Sequence, residues 1–175
     1  MIDGPGTAEK RRLADEVYRR AYDYERDCGC CPQCVLAAIF DVLGVGSDEV
    51  FKASHALAGG GGLTATGTCG ALLGAVMAVS GEYGRKRADF HSGPCMESYQ
   101  LGRRAIDQFV REFGSPLCAD VQTKMMGRSF NMWDPKDFRE FENAGGHTDK
   151  CTAVAGVAAR IAAEILLEDR DGAGV

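Results

Sequence analysis

The chain has 175 residues, 45% of them hydrophobic, and a formal charge of −5 at pH 7. This length and apolar content fit one core, so we expect residues 1–175 to form a single domain. Basic residues are scattered among acidic ones and form no stripe, which argues against nucleic acid as a partner. The longest apolar run, residues 71–79, is less than half of the roughly 20 residues that a membrane span needs. No membrane span is expected.

The N-terminal residues are polar and charged, and they lack the apolar stretch of an export signal. We therefore expect the protein in the cytoplasm, which is a reducing compartment. The chain holds eight cysteines. In a reducing compartment, clustered thiols serve metal binding or catalysis more often than structural disulfides. A disulfide framework is the alternative for an exported protein.

The spacing of apolar residues predicts three helices in the first third of the chain. Residues 7–27 have charged and apolar positions at helical spacing, which predicts an amphipathic N-terminal helix. A second helix is predicted over residues 31–43, because Pro32 suits a first helical turn and Gly44 suits a helix end. Ser47 is the expected N-cap of a third helix.

Small residues dominate the next segment. Residues 66–80 are nearly all small or apolar and predict a buried helix, in which Gly70 and Gly74 allow a neighbouring helix to come close. The glycine run before it, residues 59–62, is longer than an ordinary helix cap. Its backbone N–H groups can come very close to a bound group.

The rest of the chain predicts two long helices with an irregular segment between them. One helix covers residues 94–113, and the last begins near His147. Residues 125–146 mix aromatics with Gly, Pro and Asn, which predicts an irregular aromatic-rich loop with one helical turn at residues 135–141. No segment alternates with period two, so strands are not expected. The predicted fold is all-α, a compact bundle of about six helices.

Four cysteine contexts are similar to those of a known family. Together they resemble the redox-active protein family named for its C_GCAxxG_C_C cysteine pattern, over roughly residues 31–168, the cysteine-bearing core. The segment CGALLG around Cys69 is the specific part of the resemblance. The four contexts are Cys31 in CPQCV, Cys69 in TCGALLGAVM, Cys118 at the end of FGSPLC, and Cys151 at the start of the last helix.

The resemblance implies a small helical protein, found alone or attached to electron-transfer domains. Its four patterned cysteines, Cys31, Cys69, Cys118 and Cys151, are then the ligands of one iron–sulfur cluster, with 4Fe-4S expected in preference to 2Fe-2S. Electron transfer or cluster-dependent oxidoreductase chemistry follows, with a redox partner protein. Whether the chain is itself an enzyme stays open. A homodimer is a further expectation, because small helical proteins with exposed apolar faces often pair.

Helix starts and glycines add to this interpretation. Cys31, Cys69 and Cys151 are each predicted at or near a helix N-terminus, where N–H groups and the helix dipole stabilise thiolates. Backbone N–H groups of the glycine run can donate to cluster sulfurs, which raises the reduction potential. The candidate cofactor-binding glycines are Gly60, Gly61, Gly62 and Gly70.

Other thiol chemistries are open at this point. Cys31 and Cys34 form a CxxC pair at a helix start and are the candidate catalytic residues of thiol–disulfide exchange. The thioredoxin-like form of that chemistry needs a βαβ setting, which is not predicted. A zinc ion held by four cysteines in a non-catalytic interaction module is another alternative. The simplest alternative is that the cysteines are buried, small hydrophobic residues of the core with no chemical role. The cysteines outside the family pattern are Cys28, Cys30, Cys34 and Cys95.

Two further features have a functional and an ordinary interpretation. His147 lies one helical turn before Cys151, so it can donate a hydrogen bond to a cluster ligand or replace one, although an ordinary helix-start position is favoured. His55 and His91 are interpreted as surface or core residues. The methionine and aromatic group from Met125 to Trp133 is interpreted as a loop folded onto the helices, with a lid or docking surface as the alternative.

Overall fold

The computed structural model describes the backbone of residues 6–172 and the side chains of residues 6–168. The all-α prediction is confirmed, since this part of the chain contains no β-strand and its regular structure is helical. Two short 3-10 segments (His55–Leu57 and Arg87–Ser92) and a π-helical segment (Gly146–Lys150) accompany the α-helices. The eight α-helices of residues 6–172 are α1 (Thr7–Cys28), α2 (Cys31–Leu43), α3 (Asp48–Ser54), α4 (Gly70–Tyr83), α5 (Met96–Phe113), α6 (Cys118–Met126), α7 (Pro135–Asn143) and α8 (Cys151–Gly172).

Local signals fix several helix ends where the sequence predicts them. Helix α2 covers the predicted residues, with Pro32 in its first turn and Gly44 in the left-handed conformation at its end. The Ser47 hydroxyl accepts a hydrogen bond from the backbone N–H of Val50 and so caps α3. These three boundaries follow from single residues.

Helix α4 begins later than the predicted residue 66. An isolated antiparallel bridge pairs Thr68 with Leu117, and the Cys69 N–H donates to the Pro116 carbonyl at 2.8 Å. These contacts pair the backbone before α4 with residues 116–118 and leave Gly70 as the first helical residue. A tertiary contact therefore overrides the helical pattern there.

The segment predicted as an irregular loop, residues 125–146, is irregular over residues 127–134. The helical turn predicted at residues 135–141 is confirmed, and it extends to form α7. The Asp134 side chain accepts hydrogen bonds from the N–H groups of Lys136 and Asp137, and an Asp N-cap followed by Pro at the first helical position is a strong helix start. Together with α6, which begins at Cys118, α7 raises the helix number somewhat above six.

Helix α8 lies at the centre of the bundle, in contact with α1, α2, α4 and α5. Its buried face is built largely from alanines, so neighbouring helices approach closely. At Gly156 an added Cβ would lie 2.8 Å from the Tyr18 ring of α1. The Arg160 guanidinium pairs with Asp15 at 2.8 Å and covers the Tyr18 ring. This packing brings the C-terminal end of α1 to the N-terminal end of α8.

Within the described residues, no helix is both long enough and apolar enough to cross a lipid bilayer.

Candidate functional site

Four cysteines that are far apart in sequence line one cavity. Its volume is about 60 Å³, and its walls include Cys31, Cys69, Cys118 and Cys151. A site for one water needs about 10–15 Å³ on this measure, so the cavity has room for several small atoms. All eight cysteines lie in the described part of the chain, and all are free thiols. We call this space the cysteine cavity.

Each of the four cysteines stands at the N-terminus of a helix. Cys69 is the N-cap of α4, while Cys31, Cys118 and Cys151 are the first residues of α2, α6 and α8. Free helix N–H groups therefore face the cavity at the starts of α2, α4 and α6, where the positive ends of the helix dipoles favour negative charge. Helix α8 continues directly from the π-helical segment, and the Cys151 N–H donates to the Gly146 carbonyl. The sequence analysis predicted this position for Cys31, Cys69 and Cys151, and the structure adds Cys118.

Backbone hydrogen bonds join the starts of α4 and α6. Beside the Thr68–Leu117 bridge, the Cys118 N–H donates to the Gly67 carbonyl at 2.9 Å. The Cys69 N–H donates to the carbonyl of Pro116. These bonds involve the N–H groups of both cysteines, so the two thiols are placed by the backbone itself.

Two glycines give the thiols their space. A Cβ on Gly70 would lie 2.6 Å from the Cys31 sulfur, and a Cβ on Gly60 would lie 2.9 Å from Cys118 Cβ. Both distances are too short for real atoms. Any side chain at these two positions would push a cysteine away from its place.

The glycine run makes a tight turn whose residues 59–62 all have positive φ. The Gly61 and Gly62 N–H groups donate to backbone carbonyls at residues 56–58. Gly59 lines the cysteine cavity, and a hydrogen bond from its backbone lowers the pKa of Cys31 against the effect of burial. Gly59 thus lies beside the Cys31 thiol, and Gly60 packs against Cys118. A cofactor-binding role for Gly60, Gly61, Gly62 and Gly70 stays a prediction.

The thiols of the cavity are held in their neutral form. Burial raises the pKa of Cys69 to about 11 and that of Cys118 to about 12. Burial also raises the pKa of Cys31 and Cys151 well above the usual range, and the Glu25 carboxylate adds to the effect on both. Without a cation, a second thiolate is unfavourable in so confined a space. Binding a metal centre there would have to release protons.

Glu25 is a cavity residue that the sequence analysis missed. It lies near the end of α1, is 2% exposed, and one of its oxygens, Oε2, has no hydrogen-bond partner. Burial raises its pKa to about 8, although the neighbouring Cys34 thiol acts in the opposite direction. An acidic residue on an amphipathic helix is ordinarily solvent-exposed, so the sequence offers no signal for its burial. A buried carboxyl group with a free oxygen marks the cavity as a site for a hydrogen-bond donor or a cation.

His147 lies in the wall of the same cavity. Its Nδ1 is 2.6 Å from a Glu142 carboxylate oxygen, so Nδ1 carries a proton and donates. Its Nε2 is 3.9 Å from Glu25 Oε1. The ring meets Phe141 edge to face, with centroids 5.1 Å apart. The imidazole therefore lies between the buried Glu25 carboxyl group and the partly exposed Glu142 carboxylate. It is part of the cavity wall, whereas an ordinary helix-start position was favoured from the sequence.

A buried amide holds the Cys118 side of the cavity. Gln122, which is 3% exposed, directs its NH2 group to the Cys118 sulfur at 3.6 Å. The Gln122 carbonyl accepts from the Phe130 N–H at 2.9 Å, and this bond fixes the orientation of the amide. Met132 and Phe141 complete the apolar wall, so part of the predicted methionine and aromatic group folds onto the cavity.

The two thiols of the CPQC pair lie in different surroundings. Cys31 lines the cysteine cavity, whereas Cys34 lines a neighbouring groove of about 300 Å³ together with Cys28 and Cys30. The Cys34 thiol donates to the Gly29 carbonyl at 2.8 Å, and burial raises its pKa. A neutral thiol is a poor nucleophile, so these surroundings favour thiol–disulfide exchange less than the CxxC spacing does. The catalytic role of Cys31 and Cys34 stays a prediction.

The remaining candidate residues lie apart from the four cavity thiols. Cys95 donates to the Tyr83 carbonyl at 3.1 Å, outside the cavity. His91 packs against Phe90 in an exposed 3-10 segment. Among the residues that the structure describes, no group of three or more Cys, His, Asp or Glu side chains is positioned to hold a single metal ion.

An all-α bundle with four thiols around one buried cavity defines a class of helical, cysteine-rich proteins suited to redox chemistry. Comparison with protein families identifies the particular one: residues 29–165 match the family described as "Putative redox-active protein (C_GCAxxG_C_C)". The match covers most of the chain, and the chain belongs to this family. No match was found among curated proteins or among solved structures.

Proposed function

We propose that this chain is an iron–sulfur protein that transfers electrons, with Cys31, Cys69, Cys118 and Cys151 as the ligands of one cluster. The observation that carries the proposal is the meeting of these four thiols, from four helix N-termini, around one cavity. Four cysteine thiolates are the usual ligand set of an iron–sulfur cluster. When bound, such a cluster accepts and releases single electrons.

The cavity fits a group of this chemistry in three respects. It offers thiol sulfur as its main donor, it has free volume between the thiols, and Glu25 Oε2 inside it lacks a partner. A single zinc ion needs four sulfurs about 2.3 Å from one point, whereas a cluster places iron and sulfide between its ligands and so needs room there. We propose the 4Fe-4S type in preference to 2Fe-2S.

The chain's own residues would tune this centre. The helix N-termini and the N–H groups of Ala71 and Leu72, which lower the pKa of Cys69, favour negative charge on the ligands. The charge of an ionised Glu25 opposes it. That charge adds to the larger effect of burial and raises the pKa of five surrounding thiols, those of Cys30, Cys31, Cys34, Cys69 and Cys151. The electrons would be exchanged with a redox partner protein. Free thiols in such number support a reducing location, and we propose the cytoplasm.

Metal analysis of the anaerobically purified chain tests the proposal. We expect a brown protein with broad absorption near 400 nm and equal amounts of iron and acid-labile sulfide, at about four of each per chain. A colourless protein with about one zinc per chain would instead make it a zinc module. A metal-free protein whose Cys31 and Cys34 titrate as a dithiol would support thiol–disulfide exchange. Either of these two results would overturn the proposal.

A further inference from the structure

A groove with apolar walls adjoins the cysteine cavity. Its volume is about 460 Å³, which is within the roughly 300–1,000 Å³ of small-molecule sites. Leu63, Met132, Trp133 and Phe138 supply its apolar surface. We call it the Trp133 groove. Its size suits a ligand built on one or two rings.

Trp133 forms a fixed wall of this groove. The side chain is 72% exposed, yet its indole N–H donates to the Gly62 carbonyl at 2.8 Å. The hydrogen bond holds the ring in one orientation, with a face available to a flat partner. Aromatic faces bind other flat rings by stacking. Removing apolar surface from water is favourable, so a ligand stacked on the exposed Trp133 ring would gain binding free energy.

The polar groups of the groove are neutral hydrogen-bonding groups. Among the described residues that line it, apart from Trp133, whose N–H is already bonded, the side chains able to hydrogen-bond are those of Cys30, His55 and His147, and none is Lys, Arg, Asp or Glu. The Gln33 amide is oriented by its donation to the Phe51 carbonyl, so its oxygen accepts from His55 Nδ1 at 2.9 Å. With Nδ1 as the donor to Gln33, the other ring nitrogen, Nε2, is left to accept a hydrogen bond. The lining suits an uncharged ligand that donates a hydrogen bond.

The groove and the cysteine cavity share a wall. Five residues line both spaces: Cys30, Ala58, Leu63, Met132 and His147. A ligand in the groove would be separated from the four patterned thiols by one layer of side chains. Electrons can pass over so short a distance without a further carrier.

We propose that the Trp133 groove binds a small quinol and that the quinol delivers its electrons to the centre in the cysteine cavity, a step that rests on the proposed function. A quinol is flat, uncharged and apolar except for its two hydroxyl groups, and one of these can donate to His55 Nε2. Oxidation of the quinol to the quinone breaks two O–H bonds and releases two electrons and two protons. One proton passes to His55 and the other to water in the open groove. The electrons pass one at a time to the centre and then to a one-electron acceptor protein.

Calorimetric titration with tetramethyl-1,4-benzoquinol tests the binding step. Its ring is fully substituted, so the quinone form cannot alkylate the thiols. The titration is anaerobic and uses the chain both with and without its metal centre. We expect saturable binding at one site per chain. The dimethyl ether of the same quinol, which has no hydroxyl group, should bind about tenfold more weakly because the hydrogen bond to His55 is lost.

Two matched variants locate the site. Ala56 is exposed and lines the groove but not the cysteine cavity, so Ala56→Phe fills the groove without entering the cavity of the four patterned thiols. It should weaken binding by at least about tenfold, which corresponds to the loss of roughly 1.4 kcal/mol. Ala53→Phe, on the exposed surface of α3 outside the groove, should bind as the wild type does. Trp133→Ala removes the exposed wall without a core change and should weaken binding as well.

The outcomes separate the two proposals. Saturable binding that is lost in Ala56→Phe and kept in Ala53→Phe supports the groove, whatever metal the chain holds. Absence of saturable binding, or equal binding in both variants, overturns it. In iron-loaded protein, the quinol should also bleach the absorption near 400 nm, and faster in the wild type than in Ala56→Phe. Binding without bleaching would overturn the electron delivery, and a chain that holds no iron would refute the proposed function instead.

Discussion

At the scale of single residues, Glu25 sets the electrostatic character of the site. Burial raises its pKa to about 8 and so favours the neutral form, while its ionised form raises the pKa of the surrounding thiols. A 4Fe-4S cluster with four thiolate ligands would be negatively charged as a whole, so a loaded site would also favour the protonated carboxyl group. Ionisation of Glu25 therefore opposes thiolate formation, whereas its protonated form can donate a hydrogen bond to a sulfur.

Glu25 makes the stability of the metal-free chain depend on pH. Its pKa rises from 4.5 to about 8 on folding, so folding favours the protonated form. This contribution is complete below about pH 4.5 and is lost as the pH rises through about 8. The free energy of unfolding should fall by several kcal/mol over this range, at roughly 1.4 kcal/mol per pKa unit.

Glu25→Gln should remove most of this dependence, because the amide keeps the shape and cannot ionise. Urea unfolding of the reduced, metal-free protein at pH 5, 6.5 and 8 measures it. Glu97→Gln, an exposed change in α5, is the control and should follow the wild type. Equal slopes for Glu25→Gln and the wild type would show that the buried carboxyl group does not carry the effect.

Sequence patterns identify the four patterned cysteines of this site better than the residues that surround them. The four cysteines stand in recognisable contexts, so they could be selected together before their positions were known. Glu25 and Gln122 could not be selected, because both are polar residues on amphipathic helices and only the tertiary packing buries them. His147 was closer to prediction, since its spacing from Cys151 is readable, but its partners Glu142 and Glu25 come from other parts of the fold.

At the scale of elements, the site depends on how closely helix starts can approach one another. Gly70 lies at the crossing of α2 and α4, where an added Cβ would meet the Cys31 sulfur at 2.6 Å and the Leu57 carbonyl at 3.0 Å. Only a residue without a side chain allows this approach. The sequence predicts that α4 is buried and that Gly70 allows a neighbouring helix to come close. In the structure, the small size of Gly70 is what lets α4 approach the Cys31 sulfur and the Leu57 carbonyl.

Gly70→Ala should destabilise the chain by about 1–3 kcal/mol, because the added methyl group overpacks a backbone contact. It should also displace Cys31 and reduce metal loading. Gly81→Ala is the matched control in the same helix, since nothing lies within 4 Å of its added Cβ. That change should stabilise by about 0.5–1 kcal/mol through helix propensity. Denaturant unfolding measures both, and a neutral Gly70→Ala would contradict the close approach.

Helix boundaries could be predicted from the sequence where a residue at the boundary determines them. Pro32, Gly44 and Ser47 mark the ends of α2 and α3 correctly, because caps and prolines act on adjacent residues. The start of α4 was not predictable, since the bridge between Thr68 and Leu117 joins residues far apart in the chain. For α7 a helical turn was predicted at the right place, and the surrounding aromatic and glycine residues obscured its full length, Pro135–Asn143.

At the scale of the whole molecule, one long central helix organises the site. Helix α8 touches four other helices, and its first residue, Cys151, is a wall of the cysteine cavity. Each of the four thiols comes from a different helix, so a shared centre would tie α2, α4, α6 and α8 together. Ligands from rigid, separately packed elements allow a centre to change charge with little movement of its surroundings.

The central claim is that Cys31, Cys69, Cys118 and Cys151, and not the other four cysteines, hold one metal centre. Iron and sulfide content of single Cys→Ser variants, purified anaerobically side by side, tests it most directly. Cys31→Ser, Cys69→Ser, Cys118→Ser and Cys151→Ser should each lose most of the iron, whereas Cys34→Ser and Cys95→Ser should retain it. Retention of full iron content in Cys69→Ser, or its loss in Cys95→Ser, would contradict the account.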